Sequence, residues 1–117
     1  MVILGQKEIE ISGRKIGSNH PPLVIAEIGI NHGGSLDVAK LMVDTAVAAG
    51  IEIIKHQTHI VEDEMSNEAK FVVPSHTEEN IFDIIAQCAL SKKDEWGLMQ
   101  HVNDRDCIFI STRSDQF

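Results

Sequence analysis

Four polar residues fall within runs that are otherwise apolar: Glu27, Lys55, Gln57 and Thr112. They supply a carboxylate, an ammonium, a carboxamide and a hydroxyl, a set able to bind an oxyanion and handle a proton. Side chains alternate faces along a strand. Leu23, Ile25, Glu27 and Gly29 therefore share a face in a first strand, Ile53, Lys55 and Gln57 in a second, and Ile108, Ile110 and Thr112 in a third. Each set is apolar early and polar at its C-terminal end. A lysine at the end of a buried strand has to be compensated, because an unpaired buried charge costs several kcal/mol or neutralises itself. Two compensations are open. Glu27 pairs with Lys55 as a structural salt bridge, or an anionic ligand such as a phosphate or carboxylate completes the pairing. In the second case Gln57 and Thr112 add neutral donors, and Glu27 is free for proton or hydroxyl chemistry.

Other chemistry-bearing residues carry weaker signals. His32, His56 and His59 invite a metal reading, but the alternation points His56 away from the Lys55 face, toward the helices. Gly33-Gly34 ahead of a helix lacks the spacing of a dinucleotide or P-loop fingerprint and reads as a tight turn. Glu62-Asp63-Glu64 reads as a solvated acidic loop. Cys88, Cys107, Met42, Met65, Met99 and Trp96 read as packing residues.

The elements that must position these groups follow one plan. Residues 7–17 predict a hairpin turning at Ser12-Gly13, and Asn19-His20-Pro21-Pro22 breaks regular structure. Residues 23–30 form an apolar run suited to a buried parallel strand. A helix follows, with Ser35 as N-cap, Asp37 in the first turn, Leu36, Ala39, Val43, Ala46 and Val47 at helical spacing, and Gly50 as the stop. The second strand covers residues 51–58, and a long polar connection runs to residue 79. Helices over residues 80–90 and 92–103 precede a third strand over residues 107–112. Strands alternating with helices imply an α/β fold with a parallel sheet. Chemistry at strand C-termini suits a (β/α) barrel, and equally an open doubly wound sheet.

Composition sets outer bounds. The chain has 117 residues, about one domain, with 43% hydrophobic, 24% charged and 4% aromatic residues. Ten basic residues against 18 acidic ones give a net charge of −8, which argues against nucleic acid or an anionic membrane as the main partner. No apolar run approaches a membrane span, and residues 1–7 lack the pattern of a signal peptide. Two cysteines make neither a disulfide framework nor a zinc spacing, so a reducing cytoplasm is the expected location.

Two runs are distinctive. Ile25-Ala26-Glu27-Ile28-Gly29-Ile30-Asn31-His32-Gly33-Gly34-Ser35 and Ile54-Lys55-His56-Gln57-Thr58-His59-Ile60-Val61-Glu62-Asp63-Glu64-Met65 closely resemble the sialic acid synthases (N-acetylneuraminate synthases). The likeness extends from about residue 8 to Thr112 and favours the bacterial N-acetylneuraminate branch over legionaminate or pseudaminate relatives. It implies the N-terminal portion, about three βα units, of a TIM (β/α)8 barrel preceded by a β-hairpin. Residues 1–22 would be hairpin and linker, and residues 23–117 strands one to three of the barrel. The family's reaction condenses phosphoenolpyruvate with N-acetylmannosamine and releases phosphate, using Mn²⁺ or Mg²⁺, in a domain-swapped homodimer. The enol carbon attacks the sugar aldehyde, which the metal polarises. By position, Lys55, Gln57 and Thr112 match the family's phosphoenolpyruvate contacts, and Glu27 matches the glutamate on the metal and aldehyde side. His76 stands where the family has an asparagine on the acylamino sugar, so the resemblance leaves room for a related acylamino hexose.

The likeness stops after Ser111-Thr112. The family continues with Pro-Phe and five further βα units, whereas this sequence reads Arg113-Ser114-Asp115-Gln116-Phe117. A barrel typically needs about 250 residues. The expectation is a truncated or frame-shifted synthase, or a non-catalytic remnant. The metal-binding histidines and the later phosphate-binding residues would lie outside it, so that no metal ligand is expected in this chain. Exposed strand edges would leave the isolated chain marginal or aggregating.

Overall fold

A computed structural model describes residues 7–60, 66–75 and 78–113. The element order is β1 (Ile9–Ile11), β2 (Arg14–Ile16), β3 (Ile25–Glu27), α1 (Leu36–Ala48), β4 (Ile53–Thr58), a 3-10 helix (Asn67–Phe71), α2 (Ile81–Cys88), α3 (Lys92–Asn103) and β5 (Ile108–Arg113). β1 and β2 pair antiparallel, with Ile9 opposite Ile16. Ser12 and Gly13 both take positive φ, +47° and +84°. Two left-handed residues in succession give the twist that a two-residue hairpin loop needs. Arg14 ties the hairpin to the sheet: its Nε donates to the Glu52 carboxylate at 3.0 Å and its Nη2 to the Pro21 carbonyl at 2.9 Å.

β3, β4 and β5 form a parallel sheet in that order. The first strand is shorter than its apolar run. Ile28 N–H still donates to the Lys55 carbonyl at 3.1 Å, but the next amides turn back, with Asn31 N–H on the Ile28 carbonyl at 3.3 Å and Gly33 N–H on the Ile30 carbonyl at 3.0 Å. Gly29 at φ +52° starts that turn. Gly29 therefore lies outside the strand and does not share the Glu27 face.

α1 starts where Ser35 Oγ accepts the Val38 N–H at 3.3 Å, and Gly50 at φ +90° follows its end. Asn80 and Ser91 cap α2 and α3 by accepting the Asp83 and Asp94 amides at 2.8 and 3.1 Å. The core lies between the sheet and the helices and comprises Ile28, Ala39, Val43, Ile54, Leu90, Leu98 and Val102, with Ala26 and Phe109 packed against it. Asp44 joins α1 to α3, receiving His101 Nε2 at 2.8 Å and the Arg105 guanidinium. Two packing expectations need correction. Trp96 is 60% exposed, on the outer side of α3. Cys88 is only half-buried, because α2 contains no buried residue.

The sheet thus has one face covered by helices and one that is closed at Ile53, 1% exposed, but open toward the C-terminal strand ends. Ala26, Ile54, His56 and Phe109 point to the helices. Glu27, Lys55, Gln57 and Thr112 point the other way, where Ile25 and Ile110 are exposed. Among the described residues no helix is long and apolar enough to cross a membrane.

Candidate functional site

The open face gathers the polar residues that the alternation singled out. Glu27 stands opposite Lys55 in the β3–β4 register, and Gln57 stands opposite Thr112 in the β4–β5 register. Lys55 Nζ lies 2.5 Å from Glu27 Oε1. The Lys55 side chain is 27% exposed and that of Glu27 61%, so the pair sits at an accessible surface. Desolvation there is incomplete, and a pair of this kind contributes roughly 0–1 kcal/mol to stability. Gln57 is half-buried and Thr112 exposed. Four side chains able to bind an oxyanion or shift a proton are thereby presented together at the C-terminal ends of adjacent parallel strands. That is where barrels and open α/β sheets alike place ligands. His76 lies outside the described residues, as do Glu62, Asp63, Glu64 and Met65.

Behind this face lies a cluster that side-chain alternation foresaw only in its direction. His56 is 1% exposed, and His32, in the turn after β3, is 3% exposed. Their ring centroids are 5.5 Å apart, and the His56 ring also lies 6.2 Å from Phe109, inclined by 22°. Glu95 on α3 brings Oε1 to 3.7 Å from His56 Nδ1. Burial holds His56 down to about 4, helped by the neighbouring His32 and His59, and also lowers His32. Burial raises Glu95, against a hydrogen bond from Thr58. A histidine one residue from the site lysine is the signal that locates this cluster in sequence. Its contact with His32 is a property of the turn geometry. Among the described residues no group of three His, Cys, Asp or Glu side chains is arranged to hold a metal ion.

The turn between β3 and α1 is shaped by close approach. Gly34 has φ +82°, and a Cβ there would lie 2.3 Å from the Gln87 carbonyl oxygen. Only glycine lets α2 end against this turn. Cys107 is half-buried at the entry to β5 with Sγ 3.5 Å from the Ile51 carbonyl, and burial raises its thiol.

Comparison with known proteins bears on this geometry. A sequence profile of the NeuB family matches residues 42–116. The N-acetylneuraminate-9-phosphate synthase of Mus musculus is 43% identical over 63 residues, 53% of this chain and 18% of that protein. The N,N'-diacetyllegionaminic acid synthase of Legionella pneumophila is 29% identical over 115 residues, covering 90% of this chain and 32% of that protein. Among solved structures, the N-acetylneuraminic acid (sialic acid) synthetase of Leptospira borgpetersenii, crystallised with citrate, superposes with a TM-score of 0.78 at 28% identity. It covers 94% of this chain and 35% of that one. This chain therefore spans about a third or less of the length of these proteins.

Proposed function

The chain belongs to the NeuB family, and on that premise we propose that its open sheet face is the phosphoenolpyruvate-binding part of a nonulosonate synthase. The carrying observation is the side-by-side presentation of Glu27, Lys55, Gln57 and Thr112 in register. The Lys55 ammonium supplies a point charge for a phosphate or carboxylate oxygen. The Gln57 amide and the Thr112 hydroxyl add directional donors on the same side. An incoming anion competes with Glu27 for the ammonium, and the released carboxylate is then placed to accept or return a proton at the reacting centre.

In the proposed reaction phosphoenolpyruvate is joined to N-acetylmannosamine with release of phosphate. The three strands would be the first of a (β/α)8 barrel, in a protein that acts as a homodimer with Mn²⁺ or Mg²⁺ as Lewis acid. The described residues do not form a site for that ion, so the steps given to Glu27, Lys55, Gln57 and Thr112 are those of the side chains alone. A second reading, a synthase taking a different acylamino hexose, is favoured by the likeness to legionaminic acid synthases over 80–90% of the chain.

Calorimetric titration with phosphoenolpyruvate tests the reading. The chain should bind it, and Lys55→Met should weaken binding at least tenfold, since a hydrogen bond to a charged group contributes about 1.5–3 kcal/mol. Equal binding by the variant would refute the assignment.

A further inference from the structure

The face behind the site holds an imidazole that a purely structural core has no use for. Among the described residues neither ring nitrogen of His56 has a hydrogen-bond partner. A buried polar atom left so costs about 1–3 kcal/mol, so a hydrocarbon of similar shape would serve packing better. The placement of the two rings supplies a reason for them.

His56 lies between Lys55 and Gln57 on β4, so its rotation about the strand axis sets where both neighbours point. Its ring is gripped by Phe109 of β5 on one side and His32 on another. His32 belongs to the turn that leaves Glu27. That turn is bonded to β4 through Ile28 N–H on the Lys55 carbonyl at 3.1 Å, and is closed by Gly34 N–H donating to His32 Nδ1 at 3.0 Å. An Nδ1 that accepts a backbone amide carries no proton, so His32 is the neutral Nε2–H tautomer in this arrangement.

We infer that the His32–His56 ring pair is the positioning element that holds Glu27 in register with Lys55 and Gln57, and that it does so only while both rings are uncharged. Protonating His32 places a donor against the Gly34 amide. Protonating His56 places a cation in the apolar layer, 5.5 Å from the other ring centroid. The groups facing His56 are His32 from the turn, His59 beyond β4 and Glu95 from α3, while β5 presents the apolar Phe109. Among the described residues Glu95 is the acid that faces His56, and burial holds it toward its neutral, protonated form, so it does little to offset a charge there. The role of the pair rests on the reading of Glu27, Lys55 and Gln57 as the ligand-binding set.

The test is an NMR pH titration of the ¹⁵N-labelled 117-residue chain carrying Glu27→Gln, which removes that carboxylate's own titration. Imidazole nitrogen shifts report each ring's charge, the Gln57 side-chain amide reports the site, and backbone amides of α1 and α3 report the fold. The expected result is that His56 is neutral at pH 6.5, that His32 titrates below an ordinary histidine, and that the Gln57 amide moves with the same midpoint as His56. The α1 and α3 signals should hold at that midpoint. Adding His56→Phe, which keeps a ring against Phe109, should abolish the Gln57 transition. A Gln57 signal indifferent to the His56 titration, an unchanged transition in the Phe variant, or simultaneous loss of α1 and α3 signals would overturn the inference. No ligand is involved, so failure here is distinguishable from failure to bind phosphoenolpyruvate.

Discussion

Glu27 and Lys55 face each other across the β3–β4 register with Oε1 and Nζ 2.5 Å apart. Of the two compensations foreseen for a strand-end lysine, this geometry shows the ion pair with Glu27; the proposed anion would take the ammonium from that carboxylate. The pair is accessible, so on the proposed reading an anion would displace it at small cost.

Glu27→Gln separates a structural salt bridge from a ligand site. Removing the competing carboxylate should tighten phosphoenolpyruvate binding about three- to tenfold. It should change stability by no more than about 1 kcal/mol. Calorimetry and urea denaturation measure the two effects. A large loss of stability with no gain in affinity would identify the pair as purely structural.

Acid should begin to weaken the fold at a higher pH than that at which the lowered carboxylates Asp44 and Glu8 titrate. His56 is held down to about 4 in the folded state, against roughly 6.5 when unfolded. Between those values the unfolded chain binds the extra proton. The stability from the neutral ring is therefore complete above about pH 6.5 and is lost as pH falls through about 4. The full difference is on the order of 3 kcal/mol, and His32, lowered by burial, adds in the same direction. Asp44 and Glu8 are both lowered by histidine contacts, so their contributions fade only at more acidic pH. Urea denaturation at pH 7.5, 6.0 and 5.0 should show this loss, and His56→Phe should flatten it. A wild-type midpoint constant over that range would contradict the buried neutral ring.

Two glycines should respond differently to alanine. Gly34 has positive φ and would drive a Cβ to 2.3 Å from the Gln87 carbonyl, whereas Gly50 has positive φ with nothing within 4 Å. Gly50→Ala should cost about 1 kcal/mol from backbone strain alone. Gly34→Ala should exceed 2 kcal/mol, since backbone must also move. Thermal melts of both variants decide it, and equal losses would place the strain in φ alone.

What could be read from the sequence follows from how local the determinants are. The cap at Ser35 depends on neighbouring residues, and the period-two rule puts Lys55 and Gln57 on one face, whereas the pairing that sets Glu27 beside Lys55 is a property of the β3–β4 register. The end of β3 was not visible, because hydropathy does not distinguish Ile28 and Ile30 in a turn from the same residues in a strand. Gly29 at φ +52° ends it. Trp96 looked like core by size, yet the α3 face that carries it points outward. The His32–His56 contact depends on a turn conformation that spacing does not encode.

The described sheet ends at β3 and β5, with Ile25 and Ile110 exposed on its open face. Unpaired strand edges beside exposed apolar residues promote association. Size-exclusion chromatography of the chain should show concentration-dependent self-association, reduced by Ile110→Lys. A sharp monomeric peak with a cooperative melt would contradict this.

The most direct measurement is a map of side-chain NMR signals during titration with phosphoenolpyruvate. The Lys55 ammonium, the Gln57 amide and the Thr112 methyl should shift together and saturate with one affinity, while the Glu27 carboxylate signal moves as its partner is taken. Shifts confined to other lysines and arginines, with Lys55 and Gln57 unmoved, would contradict the assignment of the open sheet face as the anion-binding site.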